Sequence, residues 1–474
     1  MVQHIPILRQ GMPYASVQQL DLLHHATREP VARISQANSG MIRRDVTRMA
    51  DDVLERFTVA DLFAMCRKAA DLFMHAALPL GDALQSFEDY IGQLSSTTGM
   101  PVTYCRNNAA KIHKMLDEID VVVGGLTRRF DLNILDRGYG RHQDGMLSYF
   151  REGRIFGAVL PSNSPGVHAL WIPAIALKAP IVLKPGSQEP WTPLRIIEAL
   201  AAAGVPREAF GFYPTDHAGA AELLRTVDRA MLFGDEATTR PWRIDPRVEI
   251  HGPGLSKVVL GDDAAEEWEQ HLEVMASSII ANGGRSCINA SAVWTPCHGR
   301  AIAEALAARF ATVQALPADD PNAELAAFAD RKTAERISAV IDNNLRVERA
   351  EDLTQAVRGA PRFAVLNGCG YLLPTIVWCG TRDHPLANRE FLFPYASVVE
   401  CPTNEIPGAI GRTLVVTAIT RDERFARRLM ASANVDRLNL GAIPTWRLSW
   451  DQPHEGNLFE HLYRQRAFQI EPAA

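Results

Sequence analysis

The chain has 474 residues, more than one ordinary domain holds, and its 47% hydrophobic and 22% charged content suits a globular protein with a large core. A net charge of −6 without a polybasic run gives no electrostatic footprint for nucleic acid. The seven cysteines (Cys66, Cys105, Cys287, Cys297, Cys369, Cys379, Cys401) form no C-x-x-C pair and have no nearby histidine at ligand spacing, so no metal site or disulfide framework is expected, and a reducing, cytoplasmic setting fits.

The first residues, MVQHIPILRQGMPYASVQQ, lack the basic and apolar regions of a secretory signal. Residues 1–135 carry long periodic runs such as DVLERFTVADLFAMCRKAADLFMHAAL, which predict a mostly helical segment with few strands. Across 136–156, in DRGYGRHQDGMLSYFREGRIF, glycines punctuate short alternating stretches; this predicts a strand hairpin of the kind that joins subunits. From 155 to 262 apolar strands alternate with turns and amphipathic helices, the pattern of a parallel sheet with helices on its faces. The most apolar stretch, GVHALWIPAIALKAPIVL, is broken by His168, Pro173, Lys178 and Pro180, so a buried helix running into a buried strand is expected and a membrane span is not.

The run EEWEQHLEVMASSIIA (266–281) has helical apolar spacing and should stop at Asn282, Gly283 and Gly284. Cys287 then falls on a turn, where a thiol can be accessible and tunable, although a lone cysteine is by itself more often a small buried hydrophobe. A second α/β run follows from SAVWTP (291–296) to ERFARRLMAS, so two α/β domains are expected, without internal repeats.

Seven short stretches come in an order that resembles the aldehyde dehydrogenase superfamily from about 150 to 460: LPSNSP, VLKPGSQEP, LFGDEATT, HGPGLSKVVL, NGGRSCINAS, REFLFP and NLGAIPT. The resemblance implies two Rossmann-like α/β domains with a small oligomerisation hairpin. Residues 1–135 and 157–255 would form the cofactor-binding domain, 256–434 the catalytic domain, and 136–156 with 435–474 the elements of a homodimer or homotetramer. It implies Cys287 as the nucleophile that carries a thioester, a role for which a thiolate is suited by its nucleophilicity. Asn163, with the Cys287 N–H, would form the oxyanion hole. Lys184 would hold the adenosine ribose, Ser187 leaves room for a 2′-phosphate so that NADP or NAD is the cofactor, Gly234 lies in the pyrophosphate turn, and Glu390 would hold the nicotinamide ribose.

Three departures bear on the subclass. Phe393 replaces the glycine of the E-x-F-G-P motif. Asp235 stands where a serine usually precedes the pyrophosphate helix, and is expected to cap that helix; facing the diphosphate, it would favour a non-catalytic binding protein. His251 occupies the position of the water-activating glutamate, with Glu249 as a shifted alternative, and HGPGLSKVVL resembles the corresponding segment of CoA-acylating members. That implies coenzyme A as acceptor and an acyl-CoA or aldehyde substrate, with His251 a structural or coenzyme-side residue, or else a histidine base.

Overall fold

The computed structural model describes residues 2–143 and 145–471. Two seven-stranded sheets organise it. Taken by first residue, the first runs in the order 248, 229, 156, 181, 210, 7, 12, and the second 350, 375, 395, 292, 257, 413, 435. In the first, the strands Phe156–Val159, Ile181–Lys184, Phe210–Phe212, Arg229–Phe233 and Val248–His251 pair in parallel. In the second, every pairing but that of the edge strand Ala350–Asp352 is parallel. Central strands such as Lys257–Leu260 and Ala292–Thr295 are buried along their whole length, as parallel sheets covered on both faces require. The α/β reading with two Rossmann-like sheets therefore holds.

The amino-terminal 35 residues depart from the helical expectation. They form short strands: Gln3–Ile5 and Gln19–Leu23 flank Pro30–Ser35, and the hairpin Ile7–Arg9/Met12–Tyr14 extends the first sheet antiparallel through Leu8 and Phe212. Gln10 and Gly11 make its tight turn with φ of 50° and 74°. Three of these five strands have only three residues, too short to display the period of two that identifies a strand in sequence. Helices begin only after residue 38. Val59–His75 starts on a Thr58/Asp61 capping box, and Phe87–Thr98 starts on Ser86/Asp89 and ends at left-handed Gly99.

The hairpin within 136–156 forms as Tyr139–His142 and Gly145–Arg151, and Tyr463–Arg466 from the tail adds a third strand to it. Asp144, inside that hairpin, lies outside the described residues. The apolar stretch after residue 165 becomes a 3-10 turn, a one-turn helix at Pro173–Ala176 and the buried strand Ile181–Lys184. No helix among the described residues is long and apolar enough to cross a membrane.

Candidate active site

The helix Leu272–Ile280 ends where expected, and Asn282, Gly283 and Gly284 follow with φ of 53°, 66° and 65°. Three consecutive left-handed residues are tolerable because two are glycine and the third asparagine. A Cβ on Gly284 would lie 2.4 Å from the Pro394 nitrogen, so this turn closes backbone to backbone on Phe393 and Pro394. A Cβ on Gly254 would lie 2.0 Å from the Cys287 carbonyl oxygen, to which the Ser256 hydroxyl donates at 2.8 Å. Asn289 fastens the loop, donating to Ala281 O at 2.8 Å and accepting from Ser286 N at 3.0 Å. The motifs HGPG, NGGRSC and REFLFP thus meet around Cys287.

Cys287 is half-buried and lines a cavity of about 790 Å³ between the helix Val102–Asp117, the turn after Ser164 and the tail segment 446–458. Burial pushes its thiol well above the ordinary value, and the Glu455 and Glu390 carboxylates act in the same direction; the Ser286 hydroxyl and the cysteine's own amide oppose them. Arg285, two residues before the cysteine, is not among the groups that act on this thiol. Its buried guanidinium instead donates to Thr98 O at 3.0 Å and is pushed down to about 10 by burial.

Asn163 reaches the cysteine loop: its amide donates to Arg285 O at 2.7 Å, which commits one of its two N–H groups. Glu390 accepts from the Leu255 N–H at 2.7 Å; burial pushes it up to about 7 against the backbone donors of Leu255 and Gly254. The glycine missing from its motif is not needed here, because Phe393 turns into the core against Phe391 and Tyr395 with ring centroids 6.2 and 6.1 Å away.

His251 does not line the cavity. Its buried ring stacks on Phe233 at 4.5 Å and lies between two carboxylates, with Nε2 3.1 Å from Glu249 and Nδ1 2.8 Å from Glu455. Burial alone would lower its pKa, but Glu455 and Glu249 outweigh it and push the imidazole up to about 10. A ring protonated at neutral pH has no lone pair for a proton, so this arrangement does not supply the histidine base. Glu249 faces the same ring and, like His251, does not line the cavity. Glu455, which sequence reading missed, does line the cavity, beside His454. His454 is in turn pushed down to about 3 by burial and by Arg437, whose guanidinium lies 3.0 Å from its Nδ1. The only sequence signal for this cluster was a pair of titratable residues in HEGN, which alone reads as a solvated turn.

Three of the expected cofactor residues, Lys184, Ser187 and Gly234, stand at the carboxyl ends of strands in the first sheet. The strand order reverses on either side of Phe156–Val159, and open α/β sheets bind ligands at such a switch point. Lys184 ends its strand half-buried, its ammonium lowered by burial with no side-chain partner among the described residues. Ser187 is exposed in the next loop, where a Cβ on Gly186 would lie 2.4 Å from Pro161 O. Gly234 follows Arg229–Phe233, and Asp235 caps the next turn by accepting from Thr238 N at 2.9 Å, as expected. Glu266, Cys297 and His298 bring ligand atoms within 4.8 Å of one another, but none of the three lines the cysteine cavity.

The chain is similar to 2-hydroxymuconic semialdehyde dehydrogenase of Pseudomonas sp. (strain CF600), 26% identical over 301 residues that cover 58% of this chain and 60% of that protein. It is also similar to aminoacetaldehyde dehydrogenase of Pseudomonas aeruginosa, 27% identical over 58% of this chain and 57% of that one. The match thus spans about three fifths of these relatives' length. An NAD+ complex of aldehyde dehydrogenase from Bacillus cereus shares the fold at a TM-score of 0.78 and 16% identity, with 99% of this chain and 97% of that one covered. The profile of the aldehyde dehydrogenase family matches residues 14–406, and the chain belongs to that family.

Proposed function

We propose that the protein oxidises a small-molecule aldehyde with NADP or NAD through a thioester on Cys287. The observation that carries this reading is the placement of Cys287: three motifs, two of them glycine-bearing, pack around it and leave its thiol on the wall of the cavity. The cofactor fits the first sheet's switch point, where the unpartnered Lys184 would hold a ribose, Gly234 would let the backbone approach the pyrophosphate, and Ser187 would admit a 2′-phosphate. Glu390 would bind the nicotinamide ribose through the carboxylate oxygen that Leu255 does not occupy. When bound, the cofactor supplies the hydride acceptor. The chain's own part is attack by the thiolate, with the second Asn163 N–H and the Cys287 N–H as donors to the alkoxide. The reading includes a cofactor-binding domain (1–135, 157–255), a catalytic domain (256–434) and a homodimer.

For the thioester's fate, Glu455 favours water. Its carboxylate lines the cavity, bears on the thiol and is held by His251, a suitable placement for a general base. Coenzyme A remains a second reading, favoured by the absence of a carboxylate at position 251. Absorbance of the reduced cofactor with and without coenzyme A separates them. Free acid should form without coenzyme A, and Glu455→Gln should slow it by about 10² or more while a Cys287 acyl adduct accumulates in acid-quenched samples. Turnover only with coenzyme A would overturn the hydrolytic step; no turnover and no calorimetric cofactor binding would leave a non-catalytic binding protein.

A further inference from the structure

Lys111 is a charge without a counter-charge. It lies on the helix Val102–Asp117, whose Tyr104, Asn107, Asn108, Lys111 and Lys114 recur at the spacing of one helix face and all line the Cys287 cavity. The side chain is half-buried, and its ammonium has no hydrogen bond or ion pair among the described residues. Burial lowers its pKa, and no carboxylate offsets that burial. Glu324 and Glu455 share the cavity wall, yet neither bears on Lys111; Glu324 instead acts on Tyr104. Lys114, one turn further out, is exposed and pairs with Glu118 at 3.6 Å. A cation taken from water without a partner is unfavourable, and such a group is retained where a ligand completes the pair.

We propose that Lys111 anchors a substrate carboxylate, so that the cavity takes an aldehyde whose far end carries a single negative charge. The proposal rests on the reading of Cys287 as the nucleophile. One ammonium balances one negative charge, which suits a carboxylate; a phosphate dianion would leave a charge buried in a wall built from Val167, Leu170 and Pro173. The helix is tied to the cysteine turn at Asn108, whose amide donates to Asn282 at 2.8 Å, and Lys111 stands about 4.5 Å further along the helix axis.

The test compares succinate semialdehyde with butanal, close in length and differing in the terminal charge, on wild-type protein, Lys111→Met and Lys111→Arg. The expected result is a kcat/KM ratio favouring the carboxylate substrate by at least tenfold in wild type, lost in Lys111→Met mainly through KM, and largely kept in Lys111→Arg. Removal of a desolvated charge should not lower the urea midpoint of Lys111→Met, so folding does not confound the comparison. A ratio near one in wild type, or one unchanged in Lys111→Met, overturns the proposal. Should neither aldehyde turn over, the catalytic reading fails separately, and calorimetry with succinate still decides Lys111: saturable binding lost in Lys111→Met supports the anchor, whereas absent or equal binding overturns it.

Discussion

Around Cys287 the surroundings oppose ionisation. Burial, Glu455 and Glu390 all favour the neutral thiol, so in the absence of cofactor the nucleophile rests protonated. The sign of a substitution follows directly. Replacing Glu455 by the neutral Glu455→Gln removes a negative charge that penalises the thiolate, which lowers the thiol pKa and raises the thiolate fraction at any pH below it. Alkylation of Cys287 by iodoacetamide in cofactor-free protein should therefore climb with pH beyond the usual thiol range, near ~8.5. In Glu455→Gln the profile should move to lower pH, with about three- to tenfold faster labelling at pH 7.5 than in wild type. Peptide mapping is needed because Cys287 and Cys297 are the two cysteines that are not buried. An unchanged or slower profile would mean that Glu455 does not act on the thiol, and the base assigned to it would fall with it. The neighbouring histidines make the same point in opposite directions: two carboxylates hold His251 charged, and Arg437 with burial holds His454 neutral.

The HGPG segment has two glycines in different circumstances. A Cβ on Gly254 would lie 2.0 Å from a backbone oxygen of the cysteine loop, which cannot move without carrying Cys287; a Cβ on Gly252 would meet nothing within 4 Å. Gly254→Ala should therefore cost about 1–3 kcal/mol in urea unfolding, the ordinary range for overpacking, and abolish most aldehyde oxidation. Gly252→Ala should match wild type in both measurements, and equal behaviour of the two variants would contradict this packing. Much of this element was legible in sequence, since the stop at Asn282–Gly284 and the strands on either side of Cys287 follow from apolar spacing and glycine placement. Glu455 and Lys111 were not. Each sits in a polar, helix-like or turn-like stretch where a charged residue reads as solvated, and only the fold brings residues 111, 287 and 455 to one cavity. Three of the five amino-terminal strands were missed for a different reason: three residues do not span enough of a period to separate strand from loop.

At the scale of the whole molecule, two of the sheets present open strand edges that bear on assembly. Among the described residues, Val435–Leu440 closes the second sheet, pairs only with Thr413–Ile419 and leaves Leu440 43% exposed; likewise the sheet of Tyr139–His142, Gly145–Arg151 and Tyr463–Arg466 has the outer edge of both its flanking strands unpaired among the described residues. Open edges are liabilities unless something covers them, and a two-fold contact between copies would cover both kinds at once. The edge strand is also tied to chemistry. Arg437, at its centre, donates to Thr445 O and lies against His454; burial pushes its guanidinium down to about 10, and a Cys287 thiolate would act against that burial. Covering Val435–Leu440 should therefore hold Arg437 and the tail segment with Glu455 in register with the thiol. We expect light scattering at micromolar concentration to give twice the 52.3 kDa chain mass or a multiple of it. Leu440→Asp, which puts a charge on the exposed edge, should shift the protein toward monomer and lower kcat in parallel with dissociation, with activity partly recovered at high protein concentration. A wild-type monomer would refute the assembly, and a fully active monomeric variant would show that the edge strand does not need its partner to place Arg437.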